Sequence, residues 1–167
     1  KFYEDNLKNW TEQERVRVQH VLLATMNPVT GLELSESGKA QKRQQAEQVR
    51  TLALQGRKFE ELVLNFSEDP GTRRKGGEYT FARGVMAPEF ERVSFAMQAN
   101  QISRVVETKF GFHVIRMVQR IPKKVKPFIE LQKDIRKHLA EQEASVRLPG
   151  YYKKLREDAE VKVTLGP

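Results

Sequence analysis

Between Arg15 and Ala24 the chain alternates and then turns wholly apolar. Val16, Val18 and His20 fall on one side and Arg15, Arg17 and Gln19 on the other, and Val21-Leu22-Leu23 follow. Period two over that length predicts a strand running into a core. Asn27-Pro28 and Thr30-Gly31 predict turns. From about Gly38 to Gln55 the period becomes helical, with Ala40, Ala46, Val49, Leu52 and Ala53 as the apolar stripe. Ser35 and Ser37 are its candidate N-caps and Gly56 its stop. A shorter helix is predicted from Phe59 to Phe66, with Phe59, Leu62, Val63 and Phe66 inward. Ser67 to Gly77 is polar, holds Pro70 and several glycines, and reads as a loop. Pro88 opens a helix to about Ala96. Val105-Val106 and Phe112 to Val118 predict two strands around a turn at Lys109 to Gly111. The order β-α-α-loop-α-β-β predicts an α+β fold, a small antiparallel sheet surrounded by helices.

The flanks differ in character. Residues 1–14 are helical at most, and too short to fold alone. Beyond Pro122, Phe128, Leu131, Ile135 and Leu139 recur at helical spacing and predict one apolar face. Pro149-Gly150 predicts an interruption, then a last helix near Tyr151 to Ala159 and a strand-like alternation at Val161, Val163 and Leu165. The Lys/Pro-rich stretch Ile121 to Pro127 predicts a boundary. Three parts follow: an N-terminal flank over 1–14, a central domain over 15–121 and a C-terminal helical extension over 122–167.

Composition narrows the function classes. The chain has 167 residues, 38% of them hydrophobic, enough for a core. No apolar run reaches the ~18 residues that a membrane-spanning helix needs. Lys1-Phe2-Tyr3-Glu4-Asp5 is no apolar leader, and no initiator Met opens the chain, so it reads as a piece of a longer or processed protein. Cysteine is absent, which excludes disulfides, thiolate metal sites and Cys nucleophiles. The net charge of +8 raises the question of nucleic acid. The basic residues are dispersed, however, with local clusters only at Arg73-Arg74-Lys75 and Lys123-Lys124-Val125-Lys126. Binding to phosphates needs several cations along one face, so no nucleic-acid partner is expected.

Candidate chemistry concentrates between Gly76 and His113. Gly76-Gly77-Glu78-Tyr79-Thr80-Phe81, Arg83-Gly84-Val85-Met86, Pro88-Glu89-Phe90 and Phe110-Gly111-Phe112-His113 follow in order. Glycine-rich turns, a methionine, aromatics and a histidine entering an apolar strand predict a small apolar pocket with a polar edge. Such a pocket suits a prolyl ring better than a phosphate, a metal or a sugar. By themselves Met86 and Phe90, at i and i+4, read as core, and Asp69-Pro70-Gly71 reads as a turn. Gly76-Gly77 is not a nucleotide loop, since no Gly-Lys-Ser/Thr follows. His20, His113 and Asp69 are of zinc-ligand type but lack a metal spacing, so no metal is expected. His138, on a charged helix, is expected to face solvent.

Taken together and in order, these motifs, with His20, Phe59-Glu60-Glu61-Leu62 and Phe66-Ser67-Glu68-Asp69-Pro70-Gly71, resemble the parvulin family of peptidyl-prolyl isomerases over about Val16 to Arg120. The flanks resemble the helical segments of foldase chaperones of the SurA and PrsA type. The resemblance implies that His20 and His113 face each other across the sheet, with Asp69 beside them and the Thr108 hydroxyl bonded within the histidine network. It implies that Tyr79, Met86 and Phe90 wall the proline site, with Phe81 next to that wall and Phe110 at a place often aromatic. Catalysis would be non-covalent, without cofactor or metal. The partners would be unfolded or proline-containing polypeptides, in an exported protein of the periplasm or cell envelope. A scaffold that holds unfolded chains without catalysis is the alternative. The segment Gly76 to Phe81 is one residue shorter than the family's usual Gly-Gly-Asp-Leu-Gly-X-Phe, so a reshaped rim narrowed by Tyr79 is expected. The loop Ala24 to Glu33 has no Lys or Arg, so no preference for phosphorylated substrates is expected.

Overall fold

The computed structural model describes residues 1–27 and 30–159. In chain order the elements are α1 (Phe2–Asp5), a 3₁₀ turn (Leu7–Trp10), β1 (Thr11–Glu12), β2 (Arg15–Ala24), α2 (Glu36–Leu54), α3 (Phe59–Phe66), a 3₁₀ turn (Arg73–Lys75), β3 (Glu78–Ala82), α4 (Pro88–Ala96), β4 (Val106–Thr108), β5 (Gly111–Ile121), β6 (Lys124–Val125) and α5 (Phe128–Asp158). This is an α+β fold. One sheet has four antiparallel strands in the order β3-β2-β5-β4, and β1 and β6 make a separate two-stranded sheet. The chain divides into two compact units, residues 13–124 and residues 1–12 with those from 125 onward.

In the unit 13–124, β2 and β5 are the central strands. They pair from Arg15 opposite Ile121 to Ala24 opposite Gly111, with an irregularity at Arg17/Val18 that leaves Val118 without a partner in the ladder. Each face of the sheet carries its own core. Val16, Val18, Ile115 and Met117 pack with Phe81, Phe90 and Phe95 on the α4 face. Val21, Leu23, Phe112 and Val114 pack with Ala46 and Val49 of α2 and with Phe59, Leu62 and Val63 of α3 on the other. Burial on both faces explains why β2 loses its alternation after His20. At the ends of the unit, the Glu14 carboxylate accepts Arg120 at 2.6 Å and lies 3.7 Å from Arg83.

Local chemistry starts the helices where expected. The Ser35 side chain accepts the Gly38 N–H at 3.2 Å as the α2 N-cap. Pro88 occupies the first turn of α4, where its missing N–H costs no bond. Two inward assignments are corrected. Ala40 is exposed near the start of α2, and Phe66 is 37% exposed at the end of α3. Buried α2 contacts begin only at Ala46, and Phe66 sits on a final turn that faces solvent.

Two larger corrections concern whole elements. Glu78–Ala82, expected as a pocket rim, is the edge strand β3, paired with β2 so that Tyr79 opposes Val18 and Phe81 opposes Val16. The expected break at Pro149-Gly150 is absent, because α5 runs unbroken through Pro149. The missing Pro149 N–H leaves the Ser145 carbonyl without its helical partner, but that stretch is exposed and water can take the bond. Arg147 and Leu148 before it and Lys153 to Arg156 beyond it are good helix formers, which carries the helix across the poor pair Pro149-Gly150. Val161, Val163 and Leu165 lie outside the described residues.

In the other unit, the Tyr3 hydroxyl donates to the Lys126 carbonyl at 2.8 Å, and the Lys126 N–H donates to the Trp10 carbonyl at 2.9 Å. Tyr3 meets Phe128 edge-on at 5.6 Å, and Phe2 meets His138 at 5.8 Å. These contacts lay α1 along the α5 face that buries Leu131 and Ile135. His138 is otherwise exposed, as expected.

Candidate active site

The sheet register brings two distant histidines together. His20 opposes Ile115 and Leu22 opposes His113, so the two imidazoles lie diagonally on the α4 face of the central strands. Their Nδ1 atoms are 3.3 Å apart, with the rings nearly parallel and centroids 5.6 Å apart. Both are buried, at 3% and 5% exposure. Gly77 permits this approach from β3. It sits at φ +69°, the His20 N–H donates to its carbonyl at 2.9 Å, and a Cβ there would stand 2.4 Å from the His20 carbonyl oxygen.

The pair belongs to a longer chain of bonds. His20 Nε2 lies 3.0 Å from Asp69 Oδ2 and 3.2 Å from Thr72 Oγ1. The Thr72 and Tyr79 hydroxyls also donate to Asp69 Oδ2, Tyr79 at 3.3 Å, and the Gly71 N–H donates to Oδ1 at 3.1 Å. At the far end, Thr108 Oγ1 is 2.8 Å from His113 Nε2 and accepts the Phe110 N–H at 3.1 Å. Ionised Asp69 only accepts, so His20 carries its proton on Nε2. With both imidazoles neutral, His113 then donates from Nδ1 to His20, and Thr108 donates to His113 Nε2. Every bond in the row has one consistent direction, assigned here from the network.

Electrostatics follow from that packing. The His20 N–H holds the Asp69 carboxyl well below the usual carboxylate range; the Thr72 hydroxyl and Gly71 N–H add to this, while burial opposes it. Burial first, then the neighbouring His20, pushes His113 down to about 3, against the pull of Asp69. Burial and the Asp69 carboxylate push the Tyr79 phenol up. Between its unfolded value of 6.5 and its folded value of about 3, His113 binds fewer protons folded than unfolded. Its contribution to stability is therefore complete above the upper value and lost as pH falls through that window. Urea unfolding at about pH 7 and about pH 4.5 is expected to show a loss of roughly 2 kcal/mol, most of it removed in His113→Asn. An equal slope in that variant would assign the loss to other groups.

Beside this row lies a cleft of about 260 Å³, with Met86, Phe90, Leu22 and Phe110 among its apolar walls and His20, Asp69, Tyr79, Thr108 and His113 at its polar edge. Phe90 forms its floor, meeting His113 at 5.2 Å and His20 at 5.6 Å, both edge-on. The structure thus brings His20, Asp69, Thr108, His113, Tyr79, Met86, Phe90 and Phe110 to one place. Phe81 is the exception and is corrected: it is buried behind Phe90, with rings 5.9 Å apart, and supports the floor without lining the cleft. It shares the sheet face of Tyr79 but lies two residues farther along β3, opposite Val16, where Phe90 and Phe95 cover it. Asp69 and His113 bond opposite nitrogens of the His20 ring, so the three do not converge on a common point as metal ligands would. Sequence reasoning missed Thr72, whose signal was the turn spacing Asp69-Pro70-Gly71-Thr72.

Thr108 is not activated as a nucleophile, since the His113 imidazole to which it donates, held down to about 3, is too weak a base to take its proton. The arrangement offers an apolar slot next to a fixed negative charge. That combination can favour one geometry of a bound amide over another without making or breaking a bond.

Comparisons agree with this reading. The family model described as the PPIC-type PPIase domain matches residues 5–120. Foldase protein PrsA 4 of Bacillus cereus is 32% identical over 124 residues, 71% of this chain and 43% of that protein. Foldase protein PrsA 3 of Bacillus anthracis is 36% identical over 124 residues, with the same 71% and 43% coverage. The chain thus spans less than half the length of these curated relatives. Among solved structures, one from a study of two structurally related SurA-like chaperones of Campylobacter jejuni aligns at TM-score 0.74 and 25% identity, over 99% of this chain and 61% of that one. A PrsA peptidylprolyl isomerase from Bacillus cereus aligns at TM-score 0.54 and 26% identity, over 97% and 56%.

Proposed function

This chain belongs to the family of PPIC-type peptidyl-prolyl isomerase domains, the parvulins, and from that premise we propose that it catalyses cis–trans exchange of X-Pro bonds in exported polypeptides as they fold. The observation that carries the proposal is the continuous row from Thr108 through His113 and His20 to Asp69, set along a cleft floored by Phe90. We assign this activity to the compact unit of residues 13–124.

The X-Pro bond resists rotation by ~18–20 kcal/mol, and uncatalysed exchange takes roughly tens to hundreds of seconds. Acceleration requires that the twisted amide be bound better than either planar form. Met86, Phe90 and Tyr79 grip the prolyl ring. A planar amide places negative charge on its oxygen, and twisting withdraws it. The Asp69 carboxylate, facing that oxygen in the cleft, disfavours the planar form and so lowers the barrier. His20, His113, Thr108 and Thr72 are positioning residues: they hold the carboxylate in place and keep it ionised.

The clients are proline-containing or unfolded polypeptides, and the setting is the cell envelope; the foldase and SurA-like names of the similar proteins support both. No described helix is long and apolar enough to cross a membrane. NMR exchange spectroscopy on an Ala-Pro peptide tests the activity. The full chain, at micromolar concentration, is expected to raise the exchange rate at least about tenfold over the uncatalysed value. Binding of unfolded chains with no acceleration of any X-Pro peptide would leave the holding scaffold as the function.

A further inference from the structure

Along the outer face of α4, away from its buried Phe90 and Ser94, lies a cleft of about 600 Å³. Glu89, Arg92, Val93 and Ala96 follow one another at i, i+3, i+4 and i+7, so a single helical stripe forms one wall. The opposite wall is the segment leading into β4, with Ile102, Arg104 and Val105, and then Glu107 in the strand itself. Arg50 reaches the cleft from α2. Val93, Ile102 and Val105 are only partly buried there, so apolar surface is left in water between charged rims.

The segment wall is fixed to β5. The Asn100 N–H donates to the Met117 carbonyl at 2.8 Å, the Met117 N–H to the Gln101 carbonyl at 3.0 Å, and the Ser103 N–H to the Ile115 carbonyl at 2.8 Å. Arg50 Nε donates at 3.1 Å to the Ser103 carbonyl, in the peptide that joins Ser103 to Arg104. Several arginines of this unit are neutralised by carboxylates: Arg17 by Glu78, Arg116 by Glu60, and Arg83 and Arg120 by Glu14. Arg92 and Arg104 differ. Both are exposed, and among the described residues neither guanidinium has a carboxylate or carbonyl partner, although Glu89 and Glu107 line the same cleft. The cleft keeps its acids apart from its bases. Glu107 stands next to Thr108 at the β4–β5 end, and Glu89 borders Lys109 there. Arg104 comes earlier in the segment, and Arg92 lies one helical turn beyond Glu89.

We propose that this cleft is a second polypeptide-binding site, separate from the prolyl cleft, and that it takes an extended acidic segment of a client chain. A carboxylate of that segment accepts from the open donors of Arg92 and Arg104, each a planar fork that matches two carboxylate oxygens. Apolar side chains beside it cover Val93, Ile102 and Val105 and remove that area from water. Three guanidiniums against two carboxylates make the cleft net positive, and the whole chain carries +8, so an acidic segment is drawn to this face and a basic one repelled. No proline is required, because none of the residues that line the prolyl cleft lines this one.

The test titrates the full chain by NMR with a short proline-free peptide of alternating leucine and glutamate, and with its glutamine and lysine counterparts. The glutamate peptide is expected to bind about fivefold more tightly than the glutamine peptide, with shifts in the methyl resonances of Val93, Ile102 and Val105. Arg92→Gln combined with Arg104→Gln is expected to bring the two affinities within about twofold. Arg15→Gln combined with Arg57→Gln removes the same charge from exposed arginines outside the cleft, and is expected to keep the preference. Equal losses in the two double variants would reduce the effect to diffuse charge and overturn the site. So would unmoved methyls, tighter binding of the lysine peptide, or displacement of the glutamate peptide by an equal concentration of inorganic phosphate or of a DNA duplex. The peptides hold no proline, so these outcomes do not depend on whether the chain accelerates X-Pro exchange.

Discussion

Asp69→Ala is expected to lower the catalysed exchange of an Ala-Pro peptide by about a hundredfold, the scale on which removal of one fixed electrostatic partner acts in a dry site. Among the described residues, no other anion lines the cleft. Asp69 stands at its polar edge, held by the His20, Thr72, Tyr79 and Gly71 donors. The substitution also strands the His20 N–H and two hydroxyls, so a loss of stability accompanies it. Asp69→Asn separates the two effects. It keeps the size and most of the acceptor geometry while removing the charge, and is expected to lose most of the rate with a smaller drop in melting temperature. Exchange within about twofold of the native rate, in a folded Asn variant, would remove the carboxylate charge from the mechanism.

Gly111→Ala is expected to destabilise the protein by roughly 3 kcal/mol or more, among the largest effects a single methyl can have. Gly111 begins β5 at φ +138°, and a Cβ there would lie 2.1 Å from the Leu23 carbonyl oxygen and 2.9 Å from Thr25 N. The obstructing atoms are backbone, in the central β2–β5 ladder, and cannot turn aside. Relief requires opening the strand pair two residues before His113, at the Phe110 and Thr25 contact. The substitution should therefore also loosen the histidine pair. Urea unfolding gives the first effect, and the second appears as altered imidazole resonances in whatever fraction remains folded. A stability within about 1 kcal/mol of the native chain would mean that the ladder yields more readily than its geometry indicates.

How much of this was legible in the residues depends on where each signal is stored. β2 and α4 carry theirs locally, in the alternation Val16-Val18-His20 and in Pro88 followed by Phe90, and both appear as expected. The strand Glu78–Ala82 does not, because five residues after a glycine pair show too short an alternation. Its character comes from Val18 and Val16 across the ladder. The same register keeps Phe81 on the face of Tyr79 but sets it opposite Val16, behind Phe90, so a motif that places it beside the proline wall does not say how far along the strand the cleft extends. Thr72 was hidden for another reason: its role is the bond to Asp69, which exists only once the turn has closed. Pro149 misled in the opposite sense. A strong local breaker sits in an exposed helix where no neighbour enforces the break.

The pairing of Arg15 with Ile121 means that the chain enters and leaves the unit 13–124 on adjacent antiparallel strands. Such neighbours lie only about 5 Å apart. A polypeptide interrupted at that point keeps its own two cut ends almost in register, so the whole module can be spliced in, exchanged for another, or deleted with a short bridge. The host sequence need not stretch to accommodate it.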